Sequence, residues 1–588
     1  MTSAHLSSPP TSIADHGLIG NCRTAALVCS RGSITWLCAP HFDSPFLFAR
    51  LLDRHAGGAW ELHPEVPFRS DHAYAPGTNV LCTTYRTDHG AVRTHDFMDV
   101  SPRIPGRPHP GALIRIVEGV AGVVPMLTYC TPRPDHATEW PRFTVEGPHA
   151  WFDRFHISGP GPWEVDEGAG AIMQRFTLRS GDRVVFVLDG PRMEAPDDPF
   201  RALETTSAFW SAWSARCTYR GQYRDAVVRS VLTLKLLHDV DSGAIVAAPT
   251  ASLPEEIGGV RNWDYRFCWI RDAAFTLNAM MQAGFMDEDA AFFQWIMRTV
   301  RVEGPEMQVL HAVSAEGRTE ERILALEGHR RSWPVRVGNA AAHQLQLDVP
   351  GEVLDALHFA SVRGTYDPRA VWPHVRPLVD WVCTNWELPE NGIWEVRGGR
   401  RRFLYGQVMC WVALDRAIEI AAMHHLDADL PQWRSLRDTI REEVLRRGWN
   451  ADHGAFMQSY EDDRLDAASL MLPIVGFLPG DDPRMRATID AIMAKLVTNG
   501  LCYRYLDAPD GIAGGEGTFV LCTFWLIDAL IRAGRRDEAR TLFERMLDRA
   551  TVLGLYAEEI DPGTGEHLGN FPQAFSHIGL INAAIALG

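Results

Sequence analysis

The chain has 588 residues, 46% hydrophobic and 22% charged, with 57 Lys and Arg against 74 Asp and Glu for a net charge of −17. At ~100–200 residues per domain, this length calls for two to four globular domains, and the composition excludes global disorder. The acidic balance argues against nucleic-acid and anionic-membrane partners, and no run reaches the ~18 uncharged apolar residues of a membrane span.

Residues 1–17 contain no basic or apolar stretch and read as a short disordered leader, not a secretory signal. The 11 cysteines are scattered without a C-x-x-C pair, which predicts reduced, mostly buried thiols, no metal site and a cytoplasmic protein. Residues 1–215 read as β structure. Gly32–Cys38 forms a short strand, and Asn79–Arg86 and Ala91–Phe97 flank a hairpin turn at Asp88-His89-Gly90 whose glycine suits positive φ. Gln174–Arg179 and Arg183–Asp189 flank a second turn at Ser180-Gly181-Asp182. Short strands between Pro- and Gly-rich turns predict an antiparallel β-sandwich.

From Tyr223 the period becomes helical. Twelve segments are expected near 222–239, 271–284, 288–303, 339–361, 371–387, 404–424, 431–448, 465–476, 483–499, 516–533, 535–550 and 572–587, the fourth broken or kinked by Pro350. Their connections alternate between long and short. Short connections force antiparallel neighbours, so every long loop emerges at one end of the domain. The expected architecture is a multidomain α+β chain, with a β-sandwich over 1–215 and an (α/α)6 toroid over 216–588 whose long-loop rim carries function.

The first long loop ends in Gly258–Asp272, where Arg, Asp and Trp cluster. One reading is a network stapling the helix start, where a carboxylate at Asp272 is favoured. The other is a sugar pocket, in which Arg271 and Asp272 meet vicinal hydroxyls and Trp269 covers an apolar C–H face. The second loop carries Trp333 and Arg336, and the fifth leads through Glu516 to Trp525. In the third, Glu395 lies between Trp394 and Val396. Apolar bulk there would keep it protonated as a general acid, with Arg397 opposing this if it points inward; a surface carboxylate is the alternative. Glu558 and Glu559 on the last loop cannot easily face the same way, so one faces the rim centre while the other ties down the loop. Two rim carboxylates roughly 6.5–9.5 Å apart are what an inverting glycosidase needs. The fourth long loop, 449–463, receives no role. His424, His425, Asp427 and Asp429 read as a solvated helix end, and Glu352 with Asp355 as a charged helix face. No P-loop, G-x-S-x-G, H-E-x-x-H or dinucleotide motif is present.

At these residues the sequence resembles glycoside hydrolase family 15, which contains glucoamylases, glucodextranases and bacterial and archaeal trehalases. Ile13–Ala25 and Phe42–Asp53 resemble the trehalase-like N-terminal sandwich; Arg261–Asp272, Trp394–Gly398, Glu516–Trp525 and Ala557–Asp561 resemble the catalytic motifs. The resemblance implies an inverting α-glucoside hydrolase needing no cofactor, with Glu395 as general acid and Glu558 as general base. Arg271 and Asp272 would hold the non-reducing glucose, Trp269 would line its subsite, and Trp525 would lie near the leaving group beside Glu516. Glu559 would support the base, and Trp333, Arg336 and Trp394 would complete the substrate-binding rim. The sequence departs from the family pattern at Trp333, Pro350 and Gly406-Gln407, which bears on substrate choice.

The expected partner is a small neutral α-glucoside, with trehalose first and malto- or isomalto-oligosaccharides next; a homodimer is a possible assembly. An inverting disaccharide phosphorylase and a non-catalytic sugar-binding protein are the competing classes. The sandwich has two readings: it completes the active-site rim or a dimer interface, or it simply covers apolar barrel surface.

Overall fold

The computed structural model describes residues 11–100, 111–304, 307–314 and 317–588. Residues 1–10 of the expected leader lie outside these. The remainder of it is ordered: Ile13–Asp15 form a 3-10 turn and His16–Gly20 a strand paired with Ala25–Cys29. The apolar Leu18 and Ile19 in this segment are fully buried.

The first part is an antiparallel sandwich built around one long strand, Leu113–Thr131. Its first half pairs with Gly90–Met98 and Arg183–Asp189, its second half with Ala59–Pro64 and Ala171–Arg179. It passes between layers at Gly119–Gly122, where added Cβ atoms would lie 2.0 Å from the Arg179 and His89 carbonyl oxygens. The hairpin at Thr87–Gly90 has Gly90 at φ +151°, with Ala121 O at 2.0 Å from any Cβ. His16–Gly20, Ala25–Cys29 and nearly all of Ser33–Cys38 are buried, which suits sheets covered on both faces.

Sequence reading missed helix α1, Pro199–Ala215. Pro199 occupies its first turn, and the Asp198 carboxylate accepts from the Phe200 and Arg201 amides at 3.0 and 3.2 Å. The helices that follow are α2 (Arg224–Leu237), α3 (Ile270–Gln282), α4 (Met286–Glu303), α5 (Val349–Val362), α6 (Trp372–Asn385), α7 (Leu404–His424), α8 (Leu430–Arg447), the short α9 (Met471–Ile474) after a 3-10 turn at Ala467–Leu470, α10 (Pro483–Lys495), α11 (Val520–Arg532), α12 (Arg536–Leu547) and α13 (Ala574–Leu587). Helices α3, α5, α7, the α9 segment, α11 and α13 pack in succession into a closed inner ring, each backed by an outer helix, with α2 behind α13. This is the (α/α)6 toroid.

The fourth segment differs from expectation. Residues 339–348 form a loop with a 3-10 turn, and Pro350 lies in the first turn of α5, where a missing N–H costs nothing. Glu352 is not on a charged surface: it is buried and accepts from Tyr405 Oη at 2.6 Å. Gly406 makes room for Glu390, whose Oε1 would lie 1.8 Å from an added Cβ. All eleven cysteines are free, nine of them buried. Among the described residues no helix is long and apolar enough to cross a membrane.

Candidate active site

The long loops converge on a pocket lined among others by Glu255, Trp263, Tyr265, Trp394, Glu395 and Arg504. Glu395 is its most strained residue, with φ +59°. A non-glycine residue there costs about 1–3 kcal/mol and persists only where its surroundings impose it. Here the Glu395 amide donates to Gly392 O at 3.1 Å, closing a tight turn. The Trp269 indole N–H donates to Glu395 Oε1 at 2.5 Å, and Arg271 Nη2 lies 3.6 Å from the same oxygen. Burial pushes the Glu395 carboxyl upward, against the Arg271 charge and the hydrogen bond from Trp269. Arg397 does not act on it. Its guanidinium turns away, ion-paired to Glu321 at 2.5 Å and lying 4.4 Å over the Trp263 ring.

Glu558 sits on the loop before α13. Tyr265 Oη donates to its Oε1 at 2.6 Å and the Asn570 amide to its Oε2 at 3.3 Å. Gly569 is required beside it, since an added Cβ would meet Glu558 Oε2 at 2.5 Å and its φ is +70°. Burial and the Glu255 charge push the Glu558 carboxyl up to about 8, against the Tyr265 bond, Arg504 and the Asn570 amide. Tyr265 and Trp269 meet edge to face at 5.4 Å, so one aromatic pair holds both carboxylates.

The adjacent Glu559 faces the other way in a two-residue strand paired with Thr518–Phe519. Its Oε2 accepts from the Gly517 amide at 2.7 Å, and its Oε1 lies 3.5 Å from Arg504. Arg504 also pairs with Glu516 at 2.6 Å and Glu255 at 3.0 Å. Glu255, Glu516 and Glu559 are the acidic trio of metal-binding dimensions among the described residues, and the Arg504 guanidinium already sits among them. Arg261 joins from the other side, 2.7 Å from Asp510 and 3.4 Å from Glu516.

Deeper in the ring, Arg271 lies 3.4 Å from Asp272 and 3.5 Å from Asp348, and donates to Gln346 at 3.0 Å. Burial, with Glu395 and Asp348 adding to it, raises Asp272 to about 7 despite Arg271. Arg271 Nε, Asp272 Oδ2 and Gln346 Nε2 are buried without a hydrogen-bond partner. Buried polar atoms are normally satisfied, so donors and acceptors this close together suit a polyhydroxylated ligand.

Two profiles match the sequence: glycosyl hydrolases family 15 over residues 221–585, and the trehalase-like N-terminal family over residues 6–148. The chain belongs to glycosyl hydrolases family 15. It is 37% identical to a trehalase of Mycolicibacterium smegmatis, across 99% of this chain and 92% of that one. A trehalase of Thermoplasma volcanium is 35% identical, across 97% and 92%. A bacterial glucoamylase solved with acarbose superposes with a TM-score of 0.73 at 13% identity, across 99% and 94%, and shares the fold. The protein is a glycoside hydrolase.

In this family 15 hydrolase the residues read from sequence separate into two groups. Glu395 and Trp394 line the pocket, Trp394 with its N–H held by Asp466 at 2.9 Å; Trp269 and Arg271 reach it through Glu395, Asp272 through Arg271 and Glu558 through the lining residue Tyr265. The others lie behind them. Trp525 packs against Trp394 at 5.9 Å, as Phe519 does at 5.5 Å, and is not among the residues lining the pocket. Glu516 and Glu559 are occupied by Arg504. Arg336 donates to Val260 O and Asn262 O at 2.8 and 3.2 Å and covers Trp263, clamping the first long loop without lining the pocket. Trp333 is 54% exposed and also outside the lining. Tyr265, Glu255, Gln346 and Arg504 were not singled out. Only Tyr265 carried a signal, its place inside the Arg-Asp-Trp cluster; the other three depend on loops meeting in space.

The sandwich reaches this site. Arg266, between Tyr265 and Trp269, pairs with Asp264 at 2.6 Å and donates to Ser44 O at 2.7 Å. Asp43 accepts from the Val313 and Ser314 amides, and Asp53 from Glu327 N, at 2.9–3.0 Å. The first domain therefore braces the first two rim loops, which is more than covering barrel surface.

Proposed function

We propose that the chain hydrolyses α,α-trehalose to glucose by a single inverting displacement, with Glu395 as general acid and Glu558 as general base. The observation carrying this is the continuous chain Glu395–Trp269–Tyr265–Glu558, which holds two carboxyls, Glu558 buried and Glu395 partly exposed, from loops at opposite parts of one ring. The trehalase identity of relatives matched over nearly their full length supports the substrate.

Burial raises the Glu395 carboxyl, favouring the protonated form from which it gives its proton to the glycosidic oxygen as the C1–O bond breaks. Glu558 accepts a proton from a water that attacks C1 from the opposite face of an oxocarbenium-like sugar. The Tyr265 hydroxyl favours the carboxylate form that this role needs. Arg271, Asp272 and Gln346 bind hydroxyls of the glucose that is cleaved, while Trp394, Glu255 and Arg504 face the leaving glucose. Trehalose and water give two glucose molecules. Attack with inversion makes the attacked unit β, while the departing unit keeps its α configuration.

Early-time NMR of trehalose hydrolysis tests this. Inversion releases α- and β-glucose in equal amounts before mutarotation, whereas retention would release α-glucose alone and exclude the mechanism. A panel of trehalose, maltose, isomaltose and maltotriose tests the substrate; preference for a malto- or isomalto-linkage would replace trehalose with a glucoamylase-type reading. Phosphate-dependent formation of a sugar phosphate would replace hydrolysis with phosphorolysis.

A further inference from the structure

We propose that Arg397 is a specificity-determining residue that closes the leaving-group side of the pocket, limiting substrates to those whose leaving group is a single sugar. This rests on the reading of the pocket as an α-glucoside site. Arg397 lies two residues beyond Glu395, at the point where four rim loops meet. Its backbone N–H donates to Asp510 O at 2.6 Å, fixing it to the glycine-rich 505–517 loop. Gly398 packs so closely there that an added Cβ would lie 2.3 Å from Pro509 O. The Arg397 side chain lines the pocket and runs toward the first and second long loops. The guanidinium lies over Trp263 of the first long loop and pairs with Glu321 of the second, which also accepts from the Ala340 amide at 3.2 Å and lies 3.4 Å from Arg336.

Both Arg397 and Arg336 lie over the Trp263 ring, at 4.4 and 4.5 Å. A tryptophan so covered cannot serve as an open stacking platform for an oligosaccharide leading away from the site. Asp510, which holds the loop above Arg397, is itself bound by Arg261 at 2.7 Å and Tyr505 at 2.9 Å, so the closure is braced and not a loose side chain. The covering group is an arginine, whose donors can also bind hydroxyls of the last sugar admitted.

The test compares kcat/KM for leaving groups of one and two sugars in the full-length chain, using trehalose against 4-O-α-glucosyl-trehalose and maltose against maltotriose. The wild type should prefer the shorter member of whichever pair it cleaves. Arg397→Ala should raise the long-to-short ratio at least tenfold, and Glu321→Gln, which loosens the guanidinium while leaving it present, should raise it less. A wild type that cleaves both lengths equally, or variants that fold and leave the ratio unchanged, would overturn the proposal. If Arg397→Ala does not fold, the Glu321→Gln ratio decides. Failure to cleave trehalose would count against the proposed substrate but not against Arg397, because the maltose pair still reads the closure; cleavage of neither pair would overturn both.

Discussion

Trp269 donates its indole N–H to Glu395 Oε1 at 2.5 Å, tying the candidate acid to the residue that immediately precedes inner-ring helix α3. This bond favours the carboxylate, so it partly offsets the upward push of burial on the Glu395 carboxyl. Trp269→Phe preserves the ring and removes the donor. The acid should then titrate higher, and the basic limb of the kcat/KM profile should move up by about one to two pH units, the equivalent of the ~1.5–3 kcal/mol of a hydrogen bond to a charged group. Loss of alignment should lower kcat by roughly tenfold. A basic limb that stays in place would dissociate Trp269 from the acid.

Tyr265→Phe tests the opposite limb. Glu558 must be ionised to act as a base, and burial with the Glu255 charge raises its carboxyl to about 8. Wild-type activity should therefore fall on acidification well above pH 4.5, as Glu558 takes up a proton. Removing the Tyr265 donor at 2.6 Å takes away a bond that stabilises the carboxylate, so the acid limb should move to still higher pH. At pH 7 kcat should drop by about 10²-fold, in the range of a general-base contribution. An unchanged limb would place the titrating group elsewhere.

The toroid was legible because helical period and loop length are local signals, and α7 appears at 404–424, the span read from sequence. Helix α1 was not, because its Asp198-Pro199 start lies within a region read as strands and its apolar residues serve the sandwich. The site was legible where chemistry sits inside one motif, as at Trp269-Ile-Arg-Asp272. It was not legible where depth along the ring decides. Trp394 and Trp525 look equivalent in sequence, yet only Trp394 meets the pocket and Trp525 backs it. Glu255 and Arg504, 249 positions apart and 3.0 Å from each other, leave no pairwise trace in a single sequence.

Trp525 should accordingly behave as a packing residue. Trp525→Ala should lower stability by about 3–5 kcal/mol, typical for truncating a buried aromatic, and should lower activity through displacement of Trp394. Trp525→Phe, which keeps most of the contact with Trp394, should leave KM for the preferred disaccharide within about twofold. A large KM rise in the conservative variant, without loss of Tm, would return Trp525 to direct substrate contact.

Backbone strain at Glu395 gives a prediction in which stability and activity part. At φ +59° glutamate is disfavoured, whereas glycine adopts this region readily. Glu395→Gly relieves about 1–3 kcal/mol of strain and removes a partly exposed carboxyl, against roughly 1 kcal/mol of added chain entropy. The variant should melt at or above the wild-type Tm while losing at least 10³-fold in kcat. A Tm several degrees lower would show that Glu395 contributes more to packing than its conformation costs.

Arg266 tests whether the sandwich is part of the catalytic apparatus. Its guanidinium is buried, paired with Asp264 at 2.6 Å and bonded to Ser44 O at 2.7 Å, and it stands between Tyr265 and Trp269. Arg266→Met leaves the Asp264 carboxylate buried without its cation, a change that costs about 3–5 kcal/mol. Asp264 also accepts from the Gly338 amide at 2.9 Å, so the disturbance spreads to the second rim loop. Tm and kcat should fall together. Arg266→Met with Asp264→Asn removes both charges and should recover much of the Tm, because the unpaired ion is gone. It should not recover kcat, since the tether from Ser44 to the Tyr265–Trp269 segment remains broken. Full recovery of both would reduce the sandwich contact to charge balance.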